Sequence, residues 1–275
     1  MKLAIDLGGT NIRIGQIEDG QIRSVKSISC HANQPFSEVI TQIICLVEAM
    51  ITPNTEGIGV GVPSVVDAEK GIIYNVMNIP SWREVHLKAI LAEIFHLPIS
   101  INNDANCFVL GEKLYGEGKG TTNLIGVTLG TGVGTGVIIN GQLYNGRNTG
   151  AGEIGSLSYL THNFEYYCSG SFFTREHNMT GKEAFERATK GEKEALEVWN
   201  EIGIHIGHLM EAILFTYDPE IIIIGGGISA GFPYFAPAMN NTLLNFPYEK
   251  TVEKIKILPT KKEYISLLGA SALLT

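Results

Sequence analysis

Four stretches of this chain carry residues whose types and spacing can do chemistry. Asp6-Leu7-Gly8-Gly9-Thr10-Asn11 follows one apolar run, and Leu129-Gly130-Thr131-Gly132 follows another. Turns made of glycine and a hydroxyl residue leave backbone N–H groups uncovered, so an anion such as a phosphate can approach them closely. The same glycines also suit tight hairpins, and the residues alone leave both uses open. Asn102-Asn103-Asp104-Ala105-Asn106 sets a carboxylate at a strand-to-helix junction, where it can cap the helix or serve as a general base. Asp6, at the end of its strand, can likewise cap a glycine turn or face a ligand. Gly225-Gly226-Gly227 closes the β-branched run 221–224.

These residues need elements to position them. The two glycine turns belong to a repeated unit: apolar strand, turn, second apolar strand, then Asp19-Gly20 or Asn140-Gly141 as a hairpin turn. Strands are expected at 3–7, 12–17, 22–28, 57–62, 98–101, 124–129, 133–139, 221–224 and near 255–258. Helices are expected at 36–50, 82–95, 105–115, 184–188 and 192–216, with a last one from Glu263. A Gly-rich loop covers 146–155. No low-complexity linker separates the halves, so the boundary falls at the strand–helix junction around 115–122. Two α/β halves, each offering a glycine turn, imply a cleft in which a polyphosphate is held from both sides.

Two competing phosphate motifs fail on spacing. Gly118-Lys119-Gly120-Thr121 lacks the first glycine of a P-loop, since Lys113 stands there. Gly225 to Ala230 formally fits GxGxxA, yet no acidic residue follows before Glu249 and too little chain remains for a dinucleotide fold.

The bulk numbers narrow the class. The 275 residues suit two ordinary domains, and 44% hydrophobic with 17% charged residues is a globular composition. A net charge of −8 argues against a nucleic-acid partner. No apolar stretch approaches the ~20 residues that span a bilayer, and Asp6 interrupts any signal-peptide core. The four cysteines, Cys30, Cys45, Cys107 and Cys168, form no CxxC pair, which favours reduced thiols and a cytoplasmic location.

Taken in order, the motifs resemble a known family. Asp6-Leu7-Gly8-Gly9-Thr10-Asn11, with Arg13 beyond, resembles the first phosphate motif of the actin-like, ribonuclease-H-like sugar kinases. Leu129 to Gly134 resembles their second, and Gly225-Gly226-Gly227 their adenosine motif. "GVGVPSVVD" at 59–67, "INNDAN" at 101–106, "GAGEIG" at 150–155 and the terminal "LLGASALL" narrow the resemblance to the ROK family. It implies an α/β fold of two actin-like lobes: residues 1–117 with 263–275 as the small lobe, and 118–262 as the large one.

The resemblance also implies ATP-dependent phosphorylation of a hexose 6-hydroxyl, glucose first, with N-acetylmannosamine or N-acetylglucosamine as alternatives. Asp104 would be the base. Asn78, Asn103, Asp104, Glu153 and Glu165 would bind sugar. Asp6, Gly8, Gly9, Thr10, Asn11, Gly130, Thr131, Gly132 and Gly225 to Gly227 would meet the nucleotide, with Asp6 holding Mg²⁺ through water. A homodimer is expected on the same ground. The family's repressors carry a helix-turn-helix ahead of the first phosphate motif; here that motif begins at Asp6, so a kinase is expected instead. An actin-like ATPase without sugar is the other reading.

The chain departs from the family pattern at one place. Glu153-Ile154-Gly155 is followed by Ser156 where the family has His, and the zinc-binding cysteine cluster is missing. Phe164 to Gly170 matches the segment beyond that cluster, so Glu165 keeps its place while Cys168 falls on a small alanine. No structural zinc is expected, because Cys168, His162 and His177 fall short of a four-ligand site.

Overall fold

The computed structural model describes residues 1–147 and 150–274. Asn148 and Thr149, within the expected Gly-rich loop, and Thr275 at the C-terminus lie outside the described residues.

The first half opens with the antiparallel meander β1 (Lys2–Leu7), β2 (Asn11–Glu18) and β3 (Gln21–Ser29). Helix α1 (Phe36–Glu48) buries Val39, Ile40, Ile43, Leu46 and Val47, a stripe at helical spacing. Strand β4 (Ile58–Val62) pairs in parallel with β1. Short strands β5 (Val65–Asp67), β6 (Ile72–Tyr74) and β7 (Glu84–Val85) form a small separate sheet. Then come α2 (Leu87–Phe95), β8 (Ile99–Asn103) and α3 (Asp104–Tyr115).

The second half repeats the plan with β9 (Leu124–Leu129), β10 (Val133–Ile139) and β11 (Gln142–Leu143). Hairpin β12 (Ser158–Tyr159) and β13 (His162–Asn163) leads into α4 (Phe164–Cys168), α5 (Ser171–His177) and α6 (Gly181–Thr189). Helix α7 (Lys193–Tyr217) precedes β14 (Ile221–Gly225), which is buried throughout. After α8 (Phe232–Leu243) and α9 (Glu249–Lys254), β15 (Lys256–Pro259) joins the sheet and α10 (Ile265–Ala272) ends the fold.

The internal repeat is visible in the strand orders. One five-stranded sheet runs β3-β2-β1-β4-β8 and the other β11-β10-β9-β14-β15. Each combines an antiparallel meander with two parallel additions. Each sheet has its own apolar core: α1 and α2 cover the first, while α7, α8 and the shorter helices cover the second. A third core lies between the sheets, where Cys107, Phe108 and Val109 of α3 meet Leu267, Leu268 and Ala270 of α10. There the two helices touch backbone to backbone: a Cβ on Gly269 would overlap the Cys107 carbonyl, and one on Gly111 the Ile265 carbonyl.

Three expectations need correction. The helix expected at 82–95 starts only at Leu87, because Trp82 lies in a turn and Val85 pairs with Ile73. The last helix starts at Ile265, since Tyr264 takes a left-handed φ of 54° that cannot lie inside a helix. Helices α8 and α9 were not anticipated.

Candidate active site

Parallel pairing brings the first group of site residues together. Asp6 pairs with Gly61, Gly61 with Asn102 and Val62 with Asn103, so β1, β4 and β8 end side by side. Carboxyl ends of parallel strands are where α/β sheets present ligand-binding groups. Asp6 lies at this edge and Asp104 one residue past it, close enough that the Asp6 charge raises the Asp104 pKa.

The junction settles which residue caps α3. The Asn103 side-chain oxygen Oδ1 accepts the N–H groups of Ala105 (2.8 Å) and Asn106 (3.3 Å), while its Nδ2 donates to the Ser64 carbonyl at 3.2 Å. Asn103, a residue expected to touch sugar, is thus the N-cap. Asp104 is released from that duty. Its Oδ1 accepts the Ala105 N–H at 2.8 Å, and its carboxyl is pushed up to about 7 by burial first, then by Asp6 and Glu153. A buried carboxyl poised near neutrality suits proton transfer.

The Asp6 pKa is also raised by burial, an effect opposed by Arg13, whose Nη1 lies 3.2 Å from Asp6 Oδ2. Arg13 faces Asp6 directly across the β1–β2 ladder. The first turn spans Gly8 to Asn11 and closes through Gly8 N–H donating to Asn11 O at 2.9 Å. A Cβ on Gly9 would lie 2.5 Å from Asn78 Cβ, so the bare glycine is what allows Asn78 against this turn. Thr10 is exposed beside it.

The second turn is one residue shorter, joining Leu129 to Val133 through Gly130, Thr131 and Gly132. Its backbone closes with Gly130 N–H to Gly132 O at 3.0 Å, and Gly170 N–H donates to Gly130 O at 2.6 Å. Glu165 grips the turn from α4: its Oε2 accepts the Val133 N–H at 3.0 Å and would sit 2.5 Å from a Cβ on Gly132. Glu153 stands near enough to Glu165 that, after burial, this like charge raises its pKa. Asp104, Glu153 and Glu165 therefore share one field. Gly225 pairs with Thr128 at the end of β14, and Gly226, at φ 81°, would drive a Cβ into the Leu129 carbonyl. That close approach sets Gly225-Gly226-Gly227 beside the second turn.

Space lies open in front of Gly130 and Gly227, where a Cβ would meet nothing within 4 Å. Uncovered turn backbone, Thr10 and Thr131 hydroxyls and a hard carboxylate oxygen at Asp6 fit a nucleotide polyphosphate with its Mg²⁺.

Two contacts were missed in the sequence. Asn145 Oδ1 accepts Asn102 Nδ2 at 3.0 Å and Asn106 Nδ2 at 3.2 Å, fastening the loop after β11 to the base of α3. No local pattern announces a pairing so distant in the chain. The Asp6–Arg13 pair, by contrast, follows from the hairpin register alone. Among the described residues, no three His, Cys, Asp or Glu side chains gather as a metal would require. Cys168 is fully buried, with burial pushing its thiol pKa up; His162 stacks on Tyr166 with centroids 3.8 Å apart, and His177 lies 3.1 Å from Glu201.

Two lobes of matching sheet order make this an actin-like fold. The solved ROK family glucokinase of Streptomyces griseus, in complex with glucose and AMPPNP, superimposes with a TM-score of 0.88, covering 99% of this chain and 98% of that one at 24% identity. The ROK family model matches residues 2–275, and the chain belongs to the ROK family. It is similar to the glucokinase of Halalkalibacterium halodurans, 30% identical with 82% of this chain and 80% of that protein covered. The glucokinase of Thermotoga maritima is 29% identical, with 86% and 84% covered.

Proposed function

We propose that the protein is an ATP-dependent hexose kinase that transfers the γ-phosphoryl group to the 6-hydroxyl of glucose or a related sugar. N-acetylmannosamine and N-acetylglucosamine are the alternative acceptors. The observation that carries the reading is Asp104, freed from helix capping by Asn103 and held near neutrality beside Asp6 and Glu153.

Phosphoryl transfer asks the protein for position and charge more than for covalent chemistry. Asp104 accepts the proton of the attacking hydroxyl. Asn103 fixes the start of α3 and so aims Asp104, while Glu153, Glu165 and Asn78 orient the sugar hydroxyls. Gly8, Gly9, Thr10 and Asn11 offer donors to phosphate oxygens from one lobe, and Gly130, Thr131 and Gly132 from the other. Gly225 to Gly227 leave room for the nucleoside. When bound, Mg²⁺ would be held by Asp6 through water and would offset charge on the phosphates. We take residues 1–117 with 263–275 as one closing lobe and 118–262 as the other. Closure over the sugar keeps Asp104 from activating water in its place.

In this reading the protein is cytoplasmic and homodimeric, with no nucleic-acid or membrane partner. Among the described residues, no helix is long and apolar enough to cross a membrane. Light scattering on the purified protein checks the dimer. The central test is a panel of glucose, mannose and the two N-acetyl sugars with Mg·ATP, read as kcat/KM. One sugar should stand out. Negligible rates on all four, or ATP hydrolysis indifferent to sugar, would overturn the kinase reading.

A further inference from the structure

The chain enters the second sheet through residues 116–123 and leaves it through residues 260–264. One buried side chain holds both passages. Glu112, with no solvent exposure, accepts the Glu117 N–H on Oε2 at 2.9 Å and the Thr260 hydroxyl on Oε1. The Glu112 carbonyl adds the N–H groups of Gly116 and Gly118, each at 3.1 Å. Thr260 in turn donates its N–H to the Ile224 carbonyl at 2.8 Å, one residue before Gly225. On the outside, Lys261 Nζ lies 2.9 Å from Glu117 Oε2, joining the same two passages again.

A buried carboxylate is a poor choice for stability alone. It is desolvated, and a well-packed apolar side chain in its place is often neutral or stabilising. Its return here is geometric, because it ties two segments far apart in the chain. The position also matters. Glu112 stands next to Gly111, where α3 and α10 meet backbone to backbone, and Asp104 begins the same helix. At 1.5 Å rise per residue Asp104 lies ~12 Å away along the axis, so a ~5° change at the Glu112 end moves it by ~1 Å. A misplacement of that size costs a reaction up to ~10²-fold.

We propose that Glu112 is the positioning residue of the interlobe hinge: by clamping residues 116–117 to Thr260, it sets the approach of Asp104 to the nucleotide side of the cleft. The functional consequence rests on the kinase reading; the clamp itself does not.

Three variants test it: Glu112→Ala removes both arms, Thr260→Val one arm, and Glu112→Gln neither. The Gln amide oxygen still accepts the Glu117 N–H, and its NH₂ donates to the Thr260 hydroxyl. With glucose and Mg·ATP as probes, Glu112→Ala and Thr260→Val should lower kcat about tenfold or more and leave the KM for ATP within about threefold. Sugar-independent ATP hydrolysis should rise relative to sugar phosphorylation. Glu112→Gln should stay within about threefold of wild type on all counts. In the free protein, spin labels at Glu69 and Lys190, in a Cys30→Ser/Cys45→Ser background, should show a broader interlobe distance distribution for Thr260→Val than for wild type. A lower melting temperature with kcat and the distance distribution unchanged would overturn the proposal. If the wild type phosphorylates none of the panel sugars, the kinase reading falls by itself; the distance distribution then decides the clamp, and an unchanged one refutes it. Should Glu112→Ala fail to fold, Thr260→Val carries both measurements.

Discussion

Replacing Asp104 by asparagine should make the protein more stable and nearly inactive. The substitution keeps the size of the side chain and the oxygen that accepts the Ala105 N–H at 2.8 Å. It removes only the charge. Burial and the neighbouring carboxyls of Asp6 and Glu153 raise the Asp104 pKa from an ordinary 3.8 to about 7. Between those values the unfolded chain ionises at this position while the folded protein stays protonated, so wild-type stability falls as pH rises. Above pH 7 both are ionised and the penalty is constant. At about 1.4 kcal/mol per tenfold change in proton affinity, it reaches at most ~4 kcal/mol. Asp104→Asn escapes it. Its advantage over wild type should be near zero at pH 4, grow up to pH 7 and level off beyond. Melting curves at pH 4, 6 and 8 measure this, at about 2–4 °C for each kcal/mol. In the same variant sugar phosphorylation should drop ~10²–10⁴-fold, the usual contribution of a general base. The wild-type kcat/KM should rise with pH through about 7 as Asp104 becomes a free acceptor. An advantage over wild type no larger at pH 8 than at pH 4, or a variant that turns over within tenfold of wild type, would refute the argument that Asp104 is kept, at a cost in stability, as the proton acceptor.

Other outcomes follow from named contacts. Asn103→Ala loses the cap of α3 and should cost about 1 kcal/mol by denaturant titration, with a fall in kcat larger than any change in sugar KM. Asn103→Asp keeps the cap but places another carboxylate beside Asp104; the pH–rate limb should move to higher pH, and an unmoved limb would count against Asp104 as the titrating group. Gly226→Ala forces a side chain at φ 81° against the Leu129 carbonyl and should raise the KM for ATP far more than that for sugar.

The lobes were legible because each local signal had one meaning. Asp19-Gly20 and Asn140-Gly141 do turn at positive φ, and the alternation on either side fixes the register that sets Arg13 opposite Asp6. The run at 221–224 is a buried central strand, as its β-branched composition requires. Errors came where apolar spacing carried two meanings. Trp82 and Val85, three apart, are buried just as Leu87 and Leu91, four apart, are, yet the first two belong to a turn and a short strand. Helix α8 was hidden by prolines: Pro233 sits in its first turn, where a missing N–H costs nothing, and Pro237 is tolerated farther in. The motifs lie at strand ends that the sheet pairings bring together, but how their residues divide the local contacts was not legible in the sequence. That Asn103 caps while Asp104 stays free depends on backbone angles at one junction, and the Asn145 bond depends on how two lobes meet.

The segment after Gly155 explains how the fold holds without the family's cysteine cluster. A thiolate zinc site organises a loop that has too little apolar surface to fold by itself. Here the loop is a hairpin with an aromatic side instead. Tyr159 stacks on Phe164 with centroids 4.5 Å apart, meets Tyr167 edge-on at 5.4 Å, and holds His205 Nδ1 at 3.1 Å through its hydroxyl. His205 belongs to α7, so the hairpin is pinned to the longest helix of the large core. Its pKa is lowered, first by burial and then by His208, which keeps the imidazole neutral and able to share a proton with Tyr159. Cys168, buried beneath, packs as a small apolar residue. A chelator should therefore leave the melting temperature unchanged, and elemental analysis should find no stoichiometric zinc. Tyr159→Ala, which removes the stack and leaves His205 unpaired, should cost about 3–5 kcal/mol. A stoichiometric metal, or a Tyr159→Ala protein as stable as wild type, would refute the replacement of zinc by aromatic packing. Asn163 accepts the Tyr166 N–H at 2.8 Å to start α4, and Glu165 is the next residue after Phe164 in that helix. The aromatic hairpin is thus what aims the Glu165 carboxylate at the second glycine turn, the task that a metal-ordered loop would otherwise perform.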